Sequence, residues 1–583
     1  MMPNFIDKIG DWNPQLLREL KGRLKFFNVA IAVATSLLLQ LVVFLYQLRE
    51  FPDDQYSLTN TYCRLSQVYQ RQQNQIYQQS DQYQIPNLSD LLTKNICPQN
   101  QIDWQLWWRD HWEYIFLTLS VIFVFTLLVA GTYLLINDLA KEESRGTLNF
   151  IRLSPQSETS ILTGKLLGVP SLVYLVILVA VPLHLLAGRS AEIAFSYILS
   201  YYAILVASCI FFYNSALLFG LISRLFSGFQ PWLGSGAVLL FLFTVMGFAS
   251  SSSSNILNNS TAWIRLFSPW DTINYLFPNL LRVYNGSQLK NLEFFYLPLG
   301  TNVVSIVGFH LLNLGLCSYG ILQALKRSFR NPQASIISKG QSYVLVAFCQ
   351  VMMWGFTLQS WNNSDFDEQV GQNLVFLAIY NLGLLLSLIA ILSPHRQDVQ
   401  DWARYRHQEA SSRKSVWRDL IWAEKSPALV AIAINLAIVT IPLLVWVSIT
   451  SVFDTEHSEN FDRLKVLSSV ALSISIIMIY ATIAQLILLL KTPKRSFWAI
   501  GTIGTVTFLP PMILEFLGMS AWKHPTVWLF SPFPWSAIQY SGATTIFMAF
   551  LAQLSVLALL NFQLTKQVRL AGESATKALL AGR

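Results

Sequence analysis

Charge is scarce in this chain. Of 583 residues only 12% are Asp, Glu, Lys or Arg, while 53% are hydrophobic. Soluble domains carry about twice that share of charge, so a soluble assembly of three or four domains is excluded. Cysteine is scarce too: there are five, with no CxxC pair and no His/Cys cluster at zinc-site spacing. Neither a small disulfide scaffold nor a bound metal is therefore expected. A phosphate-binding loop is lacking, because Gly164-Lys165 is followed by Leu166 and has no glycine five positions before Gly164. Carboxylates are lacking at mid-membrane: all 32 acidic residues lie in loops or at the ends of apolar runs, the deepest being Glu515. That argues against an ion-coupled carrier, which binds and releases its ion at such a group.

What the chain has is long apolar runs. They cover residues 27–48, 113–136, 166–187, 193–222, 232–249 and 301–325, then 342–361, 372–393, 427–451, 466–490, 497–517 and 541–564. Each is long enough to cross a bilayer. The expected fold is an all-α polytopic membrane protein of about 12 transmembrane helices in two parallel six-helix halves, with short re-entrant or interfacial helices. The first run follows a charged segment and is too long for a cleavable signal. With the N-terminus and every second loop taken as one face, that face holds 28 Lys and Arg and the other 12. The positive-inside rule then puts both termini in the cytoplasm. The basic excess of 40 against 32 acidic residues is a statement of orientation, and a nucleic-acid partner is not needed. The densest basic cluster falls in the loop 394–426, which faces lipid headgroups.

The domain reading is a cytoplasmic amphipathic elbow helix in 1–25, a first transmembrane half 26–330, a second half 331–565 and a cytoplasmic tail 566–583. In the elbow Asn13 caps, Pro14 takes the first helical position, and leucines oppose Arg18, Lys21 and Arg23, with Glu19 among them. The largest exoplasmic loop, 49–112, is rich in Gln and Tyr and holds Cys63 and Cys97, the only cysteines outside the apolar runs. A disulfide between them would close about 34 residues and stabilise by about 3 kcal/mol. Trp104, Trp107, Trp108 and Trp112 recur at helical spacing, as in an interfacial helix on the outer leaflet. His310 is the one deeply placed ionisable group, and it reads as a hydrogen-bonded packing residue.

The halves share a tetrapeptide. Leu266-Phe267-Ser268-Pro269 and Leu529-Phe530-Ser531-Pro532 each follow one Trp, precede another, and stand before the last span of their half. Their Ser-Pro pairs mark short re-entrant helices, tolerable where protein covers the backbone. Six spans per half makes the halves parallel repeats.

The loop 137–165 reads KEESRGTLNFIRLSPQSETSILTGKLLG from Lys141 onward. Glu142 and Glu143 are expected to begin a short helix, Pro155 to end it, and Lys165 to meet the headgroups. With its Gly146, Thr147 and Leu148, then Ser154 and Pro155, then Gly164 and Lys165, it resembles the coupling loop of type-2 ABC exporter permeases. The resemblance implies that Glu142, Glu143, Gly146, Thr147, Leu148, Ser154, Pro155 and Lys165 couple this chain to separate nucleotide-binding ATPase subunits, in two copies. It also implies alternating access driven from there, and a place in a plasma (inner) membrane amid membrane lipids. No catalytic site and no cofactor are expected in this chain; ATP and Mg belong to the partner. A secondary transporter and a non-transporting membrane scaffold are the competing readings, and the substrate is not legible.

Overall fold

Long helices dominate the computed structural model, which describes residues 8–49, 51–52, 57, 61–64, 97, 99–223, 228–249, 259–279, 288–332, 334–359, 366–408, 413–450 and 462–572. The helices are α1 (Pro14–Arg23), α2 (Phe26–Leu48), α3 (Trp104–Ser144), α4 (Thr147–Arg152), α5 (Glu158–Gly168), α6 (Ser171–Ser190), α7 (Phe195–Ile222) and α8 (Gln230–Ala249). There follow α9 (Ala262–Arg265), α10 (Trp270–Leu276), α11 (Val303–Arg330), α12 (Lys339–Thr357), α13 (Phe366–Leu392), α14 (Arg396–Gln408) and α15 (Arg413–Trp422). The chain closes with α16 (Leu429–Ile449), α17 (Arg463–Leu488), α18 (Arg495–Phe516), α19 (Pro525–Trp528) and α20 (Ala543–Gly572). Two-residue strands, β1 (Glu293–Phe294) and β2 (Leu297–Pro298), pair antiparallel.

Among the described residues, eleven helices are long and apolar enough to cross a membrane by length and composition: α2, α3, α6, α7, α8, α11, α13, α16, α17, α18 and α20. The protein is a multi-pass, all-α membrane protein. The remaining apolar run, the seventh at 342–361, does form a helix, α12 of 19 residues. It is not among the eleven, and its sequence opens on Lys339, Gln341 and Ser342.

Packing divides the chain into one unit of Met1–Leu257, Ile264–Asn291 and Leu299–Arg330, and a second of Asn258–Trp263, Leu292–Pro298 and Asn331–Arg583. In the first, α2 packs on α3 and α6, α3 on α6 and α7, and α7 on α6, α8 and α11. In the second, α12 packs on α13 and α16, α13 on α16 and α17, and α17 on α16, α18 and α20. These neighbour pairs thus occur in both units, while α3 also packs on α8 in the first. The third long helix of each, α6 and α16, carries one interior proline, Pro182 and Pro442.

Two elements differ from the sequence reading. The tryptophan segment is no separate interfacial helix: α3 runs without a break for 41 residues. Asp103 caps its start by accepting from the Leu106 N–H at 3.2 Å, and Trp107, 3% exposed, stacks on His111 inside the protein. Likewise Glu142 and Glu143 do not begin the short helix; they end α3. Gly146, at φ 72°, turns the chain through the left-handed region that a Cβ disfavours, and α4 starts only after it.

Candidate functional site

The elbow and the loop after α3 build one body. Asn13 caps α1 by accepting from the Leu16 N–H at 2.9 Å, and its amide donates to the Ser160 carbonyl on α5 at 2.8 Å. Gly164 and Gly168 lie one turn apart on α5. A Cβ at Gly164 would stand 2.8 Å from the Leu16 nitrogen, and one at Gly168 2.5 Å from the Glu19 Cβ. Only glycine at both positions lets the two backbones approach so closely.

Across that contact lies an ion network. The Lys165 ammonium, wholly buried, stands 2.7 Å from an Asp138 oxygen, 2.6 Å from a Glu142 oxygen and 3.9 Å from a Glu19 oxygen. Arg23 reaches Asp138 at 2.5 Å and Glu19 at 3.3 Å, and Arg18 reaches Glu142 at 2.9 Å. Asp138 and Glu142 are four residues apart, so both point from one face of α3. The carboxylate oxygens of Glu19, Asp138 and Glu142 lie within 4.8 Å of one another, a grouping that would suit a cation. The Lys165 ammonium already takes that place, and three cations balance three carboxylates. Burial, then the negative charge of Asp138, pushes the Glu19 carboxyl up from its ordinary value of 4.5, against the pull of Lys165 and Arg23.

The tip of the loop is α4. Leu148 and Ile151 turn into the core, at 2% and 5% exposure, while Phe150 and Leu153 stand out at 79% and 85%. Thr147 Oγ1 donates to the Glu142 carbonyl at 3.1 Å, closing the α3 end. Arg152 lies over the Phe329 ring at 5.5 Å and Arg330 near Glu158 at 3.7 Å, which ties the loop to the end of α11. Pro155 is exposed and Ser157 caps α5, accepting from the Ser160 N–H at 3.2 Å. Of the residues that the resemblance marks, Gly146, Thr147 and Pro155 are exposed, and Glu143 and Ser154 are half-buried. Glu142, Leu148 and Lys165 are turned inward instead. Asp138 and Phe150 were missed; the four-residue spacing of Asp138 from Glu142 was the available signal for the first.

In the second unit a lysine performs a similar task without carboxylates. Lys339 is 1% exposed, and its ammonium donates to the Leu420 carbonyl at 3.0 Å, the Ser426 hydroxyl at 2.6 Å and the Pro427 carbonyl at 3.2 Å. It fastens the end of α15 to the start of α12. In both units, therefore, the segment before the third long helix is anchored to the entry of the first.

The tetrapeptides also take one shape. Each follows a four-residue helix, α9 or α19. Ser268 Oγ accepts from the Trp270 N–H at 3.4 Å, and Ser531 Oγ from the Phe533 N–H at 3.1 Å. Pro269 caps α10, and Pro532 continues into the turn that precedes Trp535. Each is held by the last long helix of its unit: His310 on α11 bonds Thr272 Oγ1 at 2.7 Å, and Gln553 on α20 donates to the Leu529 carbonyl at 3.0 Å. The first copy adds a buried ion pair, Arg265 to Asp271 at 2.8 Å. His184, unremarked in the sequence, sits fully buried between Ser120 Oγ at 2.9 Å and the Tyr202 hydroxyl at 2.8 Å. Cys63 and Cys97 are joined in a disulfide, buried with Ile102 ahead of α3.

Fold and loop together define a polytopic permease. The family model described as ABC-2 family transporter protein matches residues 29–326, half of the chain, and the protein belongs to that family. It is a membrane permease of an ABC transporter, a class that works with ATPase subunits. Neither the curated proteins nor the solved structures give a match.

Proposed function

We propose that this chain is the membrane half of an ATP-driven exporter, and that α4 is where separate ATPase subunits press on it. The observation that carries this reading is the two-sided tip. Leu148 and Ile151 root α4 in the core while Phe150 and Leu153 stand exposed beside Gly146 and Pro155. Large apolar side chains this exposed at a loop tip favour a protein surface that covers them. A push on α4 reaches α1 and α3 together through the Lys165 network, so that the force arrives at membrane helices and not at a yielding loop. Movement of the helices between two packed states then opens a path alternately to either side.

ATP and Mg bind and react on the partner, with two copies serving two units, and this chain supplies no catalytic group. Both termini face the cytoplasm of a plasma or inner membrane, as the 28 to 12 basic asymmetry indicates. The test is purification of the tagged protein in mild detergent. A copurifying P-loop ATPase whose turnover drops about tenfold with Phe150→Glu and Leu153→Glu, the loss of about 1.4 kcal/mol of coupling, supports the reading. Unchanged turnover in a folded double variant contradicts it.

A further inference from the structure

A cavity of about 710 Å³ lies within the second unit, among the ends of α13, α17 and α18. One part of its wall is apolar: Ile389 and Leu392 of α13, Ala484 and Leu488 of α17, Ala499 and Ile503 of α18. The other part lies beyond the last turn of α13 and is polar, with Ser393, His395, Asp398, Glu424 and Lys425. The division falls where the apolar spans end, at the depth of lipid headgroups. The volume is that of a small-molecule pocket, roughly 300–1,000 Å³.

The charges of the polar wall point to the chemistry of an occupant. The charged wall is mixed, with Asp398 and Glu424 against Lys425, which leans on Asp401 at 3.1 Å. His395 adds no positive charge at neutral pH, since burial and then the nearby Arg495 lower its pKa against the pull of Asp398. An anionic headgroup would meet Asp398 and Glu424 there as well as Lys425 and the nearby Arg495. A headgroup with one ammonium and one phosphate meets partners for both, while a hydrocarbon chain fits the apolar wall.

We infer that this cavity is a binding site for a zwitterionic amine-bearing phospholipid of the surrounding bilayer, its ammonium on Asp398 and Glu424, its phosphate on Lys425, and an acyl chain among α13, α17 and α18. The site lies inside one unit and does not rest on the ATPase reading, because it is occupied without nucleotide.

The test uses full-length protein in phosphatidylcholine vesicles doped with phosphatidylethanolamine or phosphatidylglycerol carrying a photoactivatable acyl chain, followed by peptide mapping. Adducts of the ethanolamine lipid are expected to concentrate on residues 386–395 and 495–504, about fivefold above those of the glycerol lipid. Ala499→Trp fills the cavity and removes those adducts while leaving those on the lipid-exposed α20 peptides. Should that variant fail to fold, Asp398→Asn with Glu424→Gln leaves the cavity open and is expected to bring the two lipids to about equal yield. Labelling spread evenly over all long helices, equal or greater capture of the glycerol lipid by the unaltered protein, or insensitivity of the adducts to Ala499→Trp overturns the proposal.

Discussion

Lys165 and Glu19 sit in the same network with opposite consequences for stability. Lys165 is a wholly buried cation between carboxylates; its replacement by Met leaves the three carboxylates Glu19, Asp138 and Glu142 with only Arg23 and Arg18 against them, and is expected to cost about 3 kcal/mol. Arg18, 52% exposed on its side chain, is expected to matter by under about 1 kcal/mol when changed to Gln. Glu19 has its folded pKa raised above 4.5, so the folded state holds its proton more tightly than the unfolded state. Its contribution to stability is fully present below about 4.5 and is lost as pH rises through the folded value. Thermal unfolding in detergent should therefore show Glu19→Gln as stable as the parent or more so at pH 8, with the advantage shrinking as pH falls toward about 4.5. An advantage that grows on acidification would reverse the assigned sign. The residue-scale roles were only half legible. Lys165 was named for its place in a motif, whereas its burial depends on Asp138 and on an elbow more than a hundred residues earlier in the chain.

Elements were more legible where a local signal exists. The Asn13-Pro14 start, the long apolar helices and the Ser-Pro turns can all be read from spacing, because caps, hydrophobic length and turn chemistry are short-range effects. The limits of α3 and α4 were not, since Gly146 acts by adopting a positive φ, and the direction in which that turn sends the chain is set by the burial of Leu148 and Ile151. A signal for the second unit was also overlooked. Asn13-Pro14-Gln15 with Lys21-Gly22 recurs at the same spacing as Asn331-Pro332-Gln333 with Lys339-Gly340; the first Lys-Gly pair lies in α1, ahead of the long helix α2, and the second opens α12. At this scale the α1–α5 contact is the most exposed to a single change. Gly168→Leu puts a branched side chain where Glu19 already stands, and should free α1 from α5. Limited proteolysis would then cut near Arg23 at least about tenfold faster, given overpacking strain of roughly 1–3 kcal/mol; an unchanged rate would show that the elbow is held elsewhere. Ser268→Ala, by contrast, removes one turn hydrogen bond and is expected to lower the unfolding free energy by about 1 kcal/mol, whereas Ser531→Ala also removes the bond its hydroxyl donates to the Trp528 carbonyl at 2.7 Å and is expected to cost more, about 2 kcal/mol.

The whole molecule consists of two units that share a set of neighbour pairs and differ in their fastenings. Carboxylates surround the buried lysine of the first, and backbone carbonyls with one hydroxyl surround that of the second. The family match covers residues 29–326, and the ion-based fastening, the two-glycine contact and the exposed α4 tip belong to the unit that holds most of this stretch. The scarcity of charge in the sequence takes on a structural meaning here, for six of the few charged groups meet around α1, α3 and α5. A single photo-crosslinking measurement tests the central claim that α4 is the point where an external motor engages. With a benzophenone amino acid placed at Phe150, and at the exposed Ile441 of α16 as the control, native membranes are irradiated and adducts identified. The account predicts that position 150 captures a polypeptide containing a P-loop ATPase sequence and that position 441 captures none. Lipid adducts alone at position 150, or equal capture from both positions, would contradict it.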